Sequence, residues 1–263
     1  MSSDAGGVRS LPLPDGTCLA YCAQPGAEPT VVFLGGFTSD MTGTKALALG
    51  EHCRRRGRAY VRFDYFGHGA SEGRFRDATL GRWLEDALAV MDEVARGPVV
   101  LVGSSMGGWL MVRAALARPE RVRGLVGVAA APDFTEELIE PALDANARRS
   151  LAEGGVVWLP NPYGTEPTPV TASFLGEARR HRVLGGPIGL WCPVRLLHGL
   201  ADREVPWQLS LRLAEALEGG DVTLTLVKGG GHRLSEPGDL ARLFVAVDDV
   251  CGAPGPAAGG GPT

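Results

Sequence analysis

Short apolar runs and longer amphipathic segments alternate along most of this chain. The apolar runs have the length of strands buried inside a parallel sheet, and several of them end in glycine. The amphipathic segments carry apolar residues three or four positions apart, as a helix that packs on such a sheet requires. The predicted strands are 30–34, 59–63, 99–102, 122–130, 194–198 and 222–227. The predicted helices are 43–56, 79–96, 106–118, 207–218 and 238–250.

The order of these elements predicts an α/β fold with one insertion. Residues 8–13 and 17–22 alternate around a Pro-Asp-Gly turn and predict a β-hairpin. Strict alternation of strand and helix then predicts a mostly parallel sheet with helices on both faces. The alternation stops after residue 131, in a segment interrupted by prolines, and resumes at residue 194. We therefore expect one core domain (1–132 and 191–251), a lid insertion (133–190) and a disordered, Gly- and Pro-rich tail (252–263).

The composition fits a folded protein with a full core and does not favour a nucleic-acid or membrane partner. Hydrophobic residues make up 44% of the chain and charged residues 21%, which is enough to build a full core. The net charge of −4 argues against nucleic acid or an anionic membrane as a partner. No apolar stretch approaches the roughly 20 residues of a membrane span, and no targeting segment is visible at the start. We expect a cytoplasmic protein without stable membrane insertion, with five reduced cysteines and no metal site.

One short motif carries a candidate nucleophile. Gly103-Ser104-Ser105-Met106-Gly107 fits Gly-x-Ser-x-Gly, and it lies between a predicted strand and a predicted helix. In such a nucleophile elbow the turn is too tight for side chains two residues before and after the serine. The turn also lifts the serine hydroxyl above the sheet, at the N-terminus of the helix. Ser105 is therefore the predicted nucleophile.

An acid and a histidine follow in the order Ser, acid, His. Asp202 comes after strand 194–198, and His232 comes after strand 222–227 in a Gly-rich loop. Open parallel sheets place their sites at the carboxyl ends of the strands, so these loops are expected to meet near Ser105. Asp133, after strand 122–130, is the alternative acid.

Two backbone amides are candidates for an oxyanion hole. Gly35-Gly36-Phe37 ends the first buried strand, and its glycines allow the backbone to approach a reacting carbonyl closely. We assign the hole to the N–H groups of Phe37 and Met106. Asp64 and His68 lie in a Gly-rich turn, where a structural role for the Asp and Ser side chains is the favoured interpretation.

Several motifs together resemble one family. They are Phe33-Leu-Gly-Gly-Phe37, Met41-Thr-Gly-Thr-Lys-Ala46, Arg62-Phe-Asp-Tyr65, Gly103-Ser-Ser-Met-Gly-Gly-Trp-Leu-Met111, Ala117-Arg-Pro-Glu120, Arg195-Leu-Leu-His-Gly199, Val205-Pro-Trp207 and Asp248-Asp249. The chain is similar, over roughly residues 17–250, to the α/β-hydrolase family of the mitochondrial palmitoyl-protein thioesterase, also described as mycophenolic acid acyl-glucuronide esterase. The resemblance implies an α/β-hydrolase fold, with Ser105, Asp202 and His232 on the positions of the family's triad.

The resemblance also bears on the substrate, which it implies is a small molecule or an acylated protein. It fades in residues 133–190, where Trp158 and Tyr163 carry over and become candidate substrate-binding residues. The absence of a targeting segment suggests a bacterial, cytoplasmic member. Apolar residues in this segment are expected either to line an acyl pocket or only to pack the lid onto the sheet.

The predicted function is hydrolysis of carboxylic esters or thioesters of acyl substrates, without metal or organic cofactor. A carbon–carbon bond hydrolase of ring-fission products would use the same three residues. Such enzymes often have Asn beside the nucleophile, where this chain has Ser104. A non-catalytic ligand receptor on the same fold would tend to lose the Ser or the His, and this chain has both. The sequence does not indicate an oligomeric state.

Overall fold

An eight-stranded sheet forms the centre of the molecule. The computed structural model describes residues 7–161 and 165–252. The strands lie in the order β1-β2-β4-β3-β5-β6-β9-β10, with β7 and β8 forming a separate hairpin. The strands are β1 (Arg9–Pro12), β2 (Cys18–Gln24), β3 (Ala27–Leu34), β4 (Arg58–Phe63), β5 (Val99–Ser104), β6 (Val122–Val128), β7 (Val156–Leu159), β8 (Thr168–Thr171), β9 (Val194–Gly199) and β10 (Val222–Val227). The α-helices are α1 (Thr44–Arg55), α2 (Leu80–Ala89), α3 (Met106–Ala117), α4 (Glu140–Ala142), α5 (Ala145–Gly154), α6 (Ala172–Ala178), α7 (Gln208–Ala216) and α8 (Pro237–Cys251).

Strand β5 lies in the middle of the sheet because it is apolar on both faces. All of its residues are buried, and it pairs in parallel with β3 on one side and β6 on the other. Trp83 of α2 and Trp109 of α3 belong to the core on one face, and Leu49 of α1 and Val247 of α8 belong to the core on the opposite face. Strand β2 pairs antiparallel with both β1 and β4, and the other strand pairs in this eight-stranded sheet are parallel. The predicted α/β fold is confirmed.

Two predicted elements end differently from their sequence pattern. The helix expected over 79–96 is α-helical to Ala89 and continues as a π-helical turn over Val90–Val94. The carbonyl of Met91 accepts a hydrogen bond from Arg121 there, 2.8 Å away, which fits the widened turn. The strand expected over 122–130 ends at Val128, because Ala129 turns into the left-handed region at φ 46°.

Residues 133–190 are helical in parts, as their sequence indicates, and they also contain the β7–β8 hairpin, which the sequence pattern did not predict. Several apolar side chains of this segment belong to the same core as the helices on one face of the sheet, namely Phe134, Val157, Val170, Phe174 and Leu175. Asp133 accepts hydrogen bonds from the amides of Val183 and Leu184 at 2.9 and 2.8 Å. It thereby fastens the beginning of the segment to residues near its end.

Three further observations concern sequence predictions. All five cysteines are free thiols. Within residues 7–161 and 165–252, no helix is long and apolar enough to cross a membrane, and no group of three or more His, Cys, Asp or Glu is arranged to hold a metal ion. Tyr163 and residues 253–263 of the expected tail lie outside the described residues.

Candidate active site

Ser105 occupies a strained turn between β5 and α3. Its backbone lies at φ 55° and ψ −119°, outside the conformations that a serine normally adopts. Three backbone hydrogen bonds hold the turn in this conformation. The Ser105 amide donates to Val128 O at 3.0 Å, and the Ser105 carbonyl accepts from Gly108 and Ala131 at 2.8 and 3.0 Å. Backbone strain of this kind persists only where the surroundings hold it, and it concentrates at functional sites.

The glycines of the motif are required by the packing around this turn. A Cβ on Gly103 would lie 2.3 Å from the carbonyl oxygen of Gly107. A Cβ on Gly107 would lie 2.1 Å from the carbonyl oxygen of Leu34 in the neighbouring strand. Both contacts are with backbone atoms that cannot move aside. The close approach of β5, α3 and β3 therefore excludes side chains at both positions, as the motif predicted.

The structure brings Ser105, His232 and Asp202 together. His232 Nε2 lies 3.1 Å from Ser105 Oγ, and His232 Nδ1 lies 2.8 Å from Asp202 Oδ2. Each residue follows the carboxyl end of a parallel strand, β5 for the serine, β9 for the aspartate and β10 for the histidine. The Asp202 carboxylate accepts a hydrogen bond from the Nδ1–H group, which keeps this proton on Nδ1 and leaves Nε2 free to accept the hydroxyl proton of Ser105.

The Asp202 carboxylate is buried and fully supplied with donors. Its Oδ1 accepts from the amides of Glu204 and Val205 at 2.8 and 2.9 Å. Its Oδ2 accepts from His232 and from His198, 3.1 Å away. Burial alone would raise the pKa of Asp202, but the hydrogen bonds from His198, His232 and Val205 outweigh it and hold the pKa well below its usual range. The carboxylate is therefore ionised at all physiological pH values.

The amides of Phe37 and Met106, the candidates for an oxyanion hole, belong to two segments that lie beside Ser105. Gly36 lies so close to the nucleophile that a Cβ there would be 3.3 Å from Ser105 Cβ. Met106 is the first residue of α3, where backbone N–H groups have no partner inside the helix. Within the described part of the chain, neither amide donates to a backbone oxygen. The Phe37 ring packs against Phe75, Phe134 and Phe174 at centroid distances of 5.1 to 5.7 Å, so the side chain anchors the loop.

Ser105 and His232 open into a cavity of about 610 Å³. Ligand pockets in proteins commonly measure roughly 300–1,000 Å³. One wall is apolar and comes largely from residues 133–190, and it includes Phe134, Leu138, Ile139, Leu159 and Pro160. Another wall is polar and includes Asp40, Thr42, Thr44, Lys45, Arg233 and Ser235. The cavity can therefore hold a molecule with one apolar and one polar end.

The structure does not support Trp158 as a substrate-binding residue of this cavity. Its side chain is 55% exposed on the outer surface and does not line the cavity, whereas its neighbour Leu159 does. Successive side chains of a strand point to opposite faces, so only one of these two can face inward. Residues 157 and 159 share the inner face of β7, which leaves Trp158 outside.

Asp133, Asp64 and His68 lie elsewhere and have structural partners. Asp133 is engaged by backbone amides as described above, and not by His232. Asp64 accepts from the amides of Met41 and Ala70 at 2.6 and 2.8 Å, while Ser71 donates to the Asp64 carbonyl. The expected structural role of this turn is confirmed.

Two residues near the site were missed by the sequence analysis. His198 is fully buried beside Asp202, but its position at the end of the predicted strand 194–198 does not show that its ring contacts this carboxylate. Lys45 lines the polar wall of the cavity, and its ammonium donates to the backbone oxygen of Arg233. Burial, followed by the charge of Arg233, lowers the pKa of Lys45 to about 8.

Known proteins similar to this chain decide its family. A sequence profile of the α/β-hydrolase fold matches residues 29–158. The mitochondrial palmitoyl-protein thioesterase ABHD10 of mouse is 43% identical over 233 residues, which cover 88% of this chain and 78% of the mouse protein. The human protein of the same name is 42% identical over 90% of this chain and 78% of its own length. The chain belongs to the α/β-hydrolase family.

A solved structure of the same family has nearly the same backbone. A putative hydrolase from Agrobacterium vitis is 42% identical and matches with a TM-score of 0.90, over 94% of this chain and 99% of its own. The predicted resemblance is thereby confirmed over the part of the chain on which it was based.

Proposed function

We propose that this protein is a serine hydrolase that cleaves carboxylic esters or thioesters of acyl substrates through Ser105, His232 and Asp202. The observation that carries the proposal is the continuous chain of hydrogen bonds from Ser105 Oγ through the His232 ring to Asp202, at 3.1 and 2.8 Å. The Ser105 end of this series of hydrogen bonds lies in a cavity with a partly apolar lining. A buried carboxylate, an imidazole and a strained serine in this order are the arrangement that activates a hydroxyl as a nucleophile.

The reaction proceeds in two steps that each transfer one proton through His232. His232 Nε2 takes the Ser105 hydroxyl proton while Oγ bonds to the carbonyl carbon, and the amides of Phe37 and Met106 hold the carbonyl oxygen as it becomes negative. The C–O or C–S bond then breaks, and His232 returns the proton to the leaving alcohol or thiol. A water molecule next attacks the Ser105 ester, again giving a proton to His232. The resulting tetrahedral intermediate then breaks its bond to Ser105 Oγ, which takes the proton back from His232, and the carboxylic acid is released.

The expected substrate carries an apolar acyl chain, and residues 133–190 act as the cover of its pocket. Leu138, Ile139 and Leu159 of this segment offer apolar surface within the cavity that contains Ser105. The relatives named as palmitoyl-protein thioesterases support a long acyl chain on a thioester. The mouse and human thioesterases are named as mitochondrial. Their names therefore do not support the cytoplasmic location that the sequence led us to expect.

A fluorophosphonate probe tests the nucleophile, because it reacts only with an activated serine. The wild-type protein should be labelled and should hydrolyse aryl esters and acyl thioesters. Ser105→Ala should fold normally, lose labelling and lose activity by roughly 10⁴- to 10⁶-fold. Ser104→Ala is the matched control, one residue away in the same turn, and should keep most of the activity.

Loss of labelling in Ser104→Ala instead of Ser105→Ala would contradict the assignment of the nucleophile. A wild-type protein that is labelled but hydrolyses no member of an ester and thioester panel would contradict the substrate class. That second outcome would favour carbon–carbon bond hydrolysis, for which ring-fission products are the test substrates.

A further inference from the structure

A second histidine contacts the carboxylate of Asp202 from the side opposite to solvent. His198, near the end of β9, is 0% exposed, and its Nε2 lies 3.1 Å from Asp202 Oδ2. The same nitrogen lies 3.0 Å from the carbonyl oxygen of Val205. On the other side of the ring, Nδ1 lies 2.7 Å from the hydroxyl of Ser210 in α7, which is also fully buried.

These contacts determine which ring nitrogen carries the proton. Nε2 faces two oxygens, a carboxylate and a backbone carbonyl, and both can only accept hydrogen bonds. Nε2 must therefore be protonated, since a bare nitrogen there would face two acceptors. Nδ1 forms a hydrogen bond with the Ser210 hydroxyl, which can rotate either to donate or to accept. Every polar atom of the His198 ring has a partner, and its orientation is fixed from both sides.

We infer that His198 is a positioning residue for catalysis, an inference that rests on the proposed function. Asp202 Oδ2 receives one hydrogen bond from His232 and one from His198, while the amides of Glu204 and Val205 hold Oδ1. Without His198, Oδ2 would keep a single donor, and the carboxylate would be free to tilt away from His232 Nδ1. His198 therefore keeps Oδ2 in line with His232, and Ser210 and α7 keep His198 in place.

Two substitutions of His198 separate the contact with Asp202 from the packing of the ring. His198→Asn leaves an amide that reaches Ser210, but it is too short to reach Asp202. His198→Gln extends the amide N–H to about the position of Nε2 and keeps the donor. Removing a hydrogen bond to a charged group should lower kcat about 10- to 100-fold in the Asn variant, whereas the Gln variant should recover most of it. KM should change little in both, because His198 is not among the residues that line the cavity.

A double-mutant cycle with Asp202→Asn shows whether His198 acts through that carboxylate. If it does, His198→Asn should cause little further loss of kcat in the Asp202→Asn background. A general effect on the fold would instead lower kcat by the same factor in both backgrounds. The kcat values should be referred to the concentration of active sites titrated with a fluorophosphonate, so that unfolded protein does not count.

His52 provides a matched control elsewhere in the protein. Its Nε2 lies 3.1 Å from Asp248 Oδ1, the same atom types at the same distance as in the His198–Asp202 contact, but neither residue lines the cavity. His52→Asn should leave kcat unchanged. Should His198→Asn not fold, His198→Phe replaces it, since the ring volume is kept and the donor is lost.

An unchanged kcat in the folded Asn or Phe variant would overturn the inference, and so would equal losses in the two backgrounds of the cycle. Failure of the proposed function looks different, because the wild-type protein itself would then resist the fluorophosphonate and hydrolyse no ester or thioester.

Discussion

At the scale of single residues, two buried aspartates show how partners decide a role. Asp202 accepts from two imidazoles and two backbone amides, and these contacts outweigh burial and lower its pKa. Asp133 accepts from the backbone amides of Val183 and Leu184, and there burial dominates and raises the pKa. Asp202 is an anion that can orient and stabilise a protonated His232. Asp133 connects the beginning of the segment 133–190 to residues near its end.

Asn substitutions at the two aspartates should therefore separate catalysis from stability. Asp202→Asn should lower kcat about 10⁴-fold, because the amide no longer holds the correct tautomer of His232. Asp133→Asn should keep kcat within about threefold and lower the melting temperature, because one amide oxygen cannot replace two carboxylate oxygens toward Val183 and Leu184. Steady-state kinetics and thermal unfolding of both variants give the comparison, and a greater loss of kcat in Asp133→Asn would assign the acid to that position.

The sequence predicted the positions of Ser105, Asp202 and His232 because local signals mark each of them. A strand end, nearby glycines and the order along the chain are all visible without knowledge of contacts across the fold. His198 also lies at a predicted strand end before a glycine, but this position does not show that its ring turns toward Asp202 and Ser210, which depends on how β9, the loop after it and α7 pack. Lys45 likewise reaches the cavity through a contact with residue 233, far away along the chain.

At the scale of elements, the ends of the parallel strands carry the unusual backbone of this protein. Within the described residues, the non-glycine positions with positive φ are Thr38, Ser105, Ala129, Asp133 and Leu234. All five follow the carboxyl end of β3, β5, β6 or β10, the edge where Ser105 and His232 meet. The loops at this edge are strained, whereas the register shifts of β3 and β5 lie at the opposite, amino ends of these strands. Strained loops on a paired sheet are expected where a rigid scaffold presents a site.

The β7–β8 hairpin limits what could be predicted for residues 133–190. Val156–Leu159 is only four residues long, and prolines interrupt the sequence around its partner strand, so the pattern did not separate it from irregular chain. Even a correct strand assignment would not say which of Trp158 and Leu159 faces inward. That choice depends on packing against the core, where Val157 is buried.

Substitutions at these adjacent positions should affect acyl-chain preference differently. Leu159→Trp adds bulk on the apolar wall of the cavity and should shift the preferred acyl chain to shorter lengths. Below the limit of the pocket, each added methylene should raise kcat/KM up to about fourfold, from about 0.8 kcal/mol per buried methylene. Trp158→Ala, on the outer face, should leave the length profile unmoved. A shift in the Trp158→Ala profile, with none in Leu159→Trp, would place the acyl pocket on the other side of the hairpin.

At the scale of the whole molecule, an aromatic cluster joins the loop after β3, helix α2 and residues of the segment 133–190 into one core. Phe37 of this loop contacts Phe75, Trp83 and Phe174, and Trp83 contacts both Phe174 and His68. We expect the cover of the cavity and the sheet to unfold together, because no polar boundary separates these rings. His68 introduces a titratable group into this shared core.

The buried imidazole of His68 should make the stability of the whole protein depend on pH. His68 is 4% exposed, and its Nδ1 donates to the Phe66 carbonyl while Nε2 has no partner among the described residues. Burial lowers the pKa of His68 to about 4, from an ordinary value of about 6.5. The neutral ring is thus favoured in the folded state, so its contribution is fully present above about pH 6.5 and is lost as the pH falls toward 4.

The expected effect is about 2 kcal/mol of unfolding free energy between pH 7 and pH 5, because at pH 5 the unfolded chain binds a proton that the folded chain excludes. His68→Phe keeps an aromatic ring beside Phe75 and Trp83 but cannot titrate. Urea unfolding at several pH values should therefore show a flatter decline for this variant than for the wild-type protein, with the two curves converging toward acid pH or crossing there. Parallel curves over this range would mean that His68 is protonated equally in the folded and unfolded states, and that another group causes the acid sensitivity.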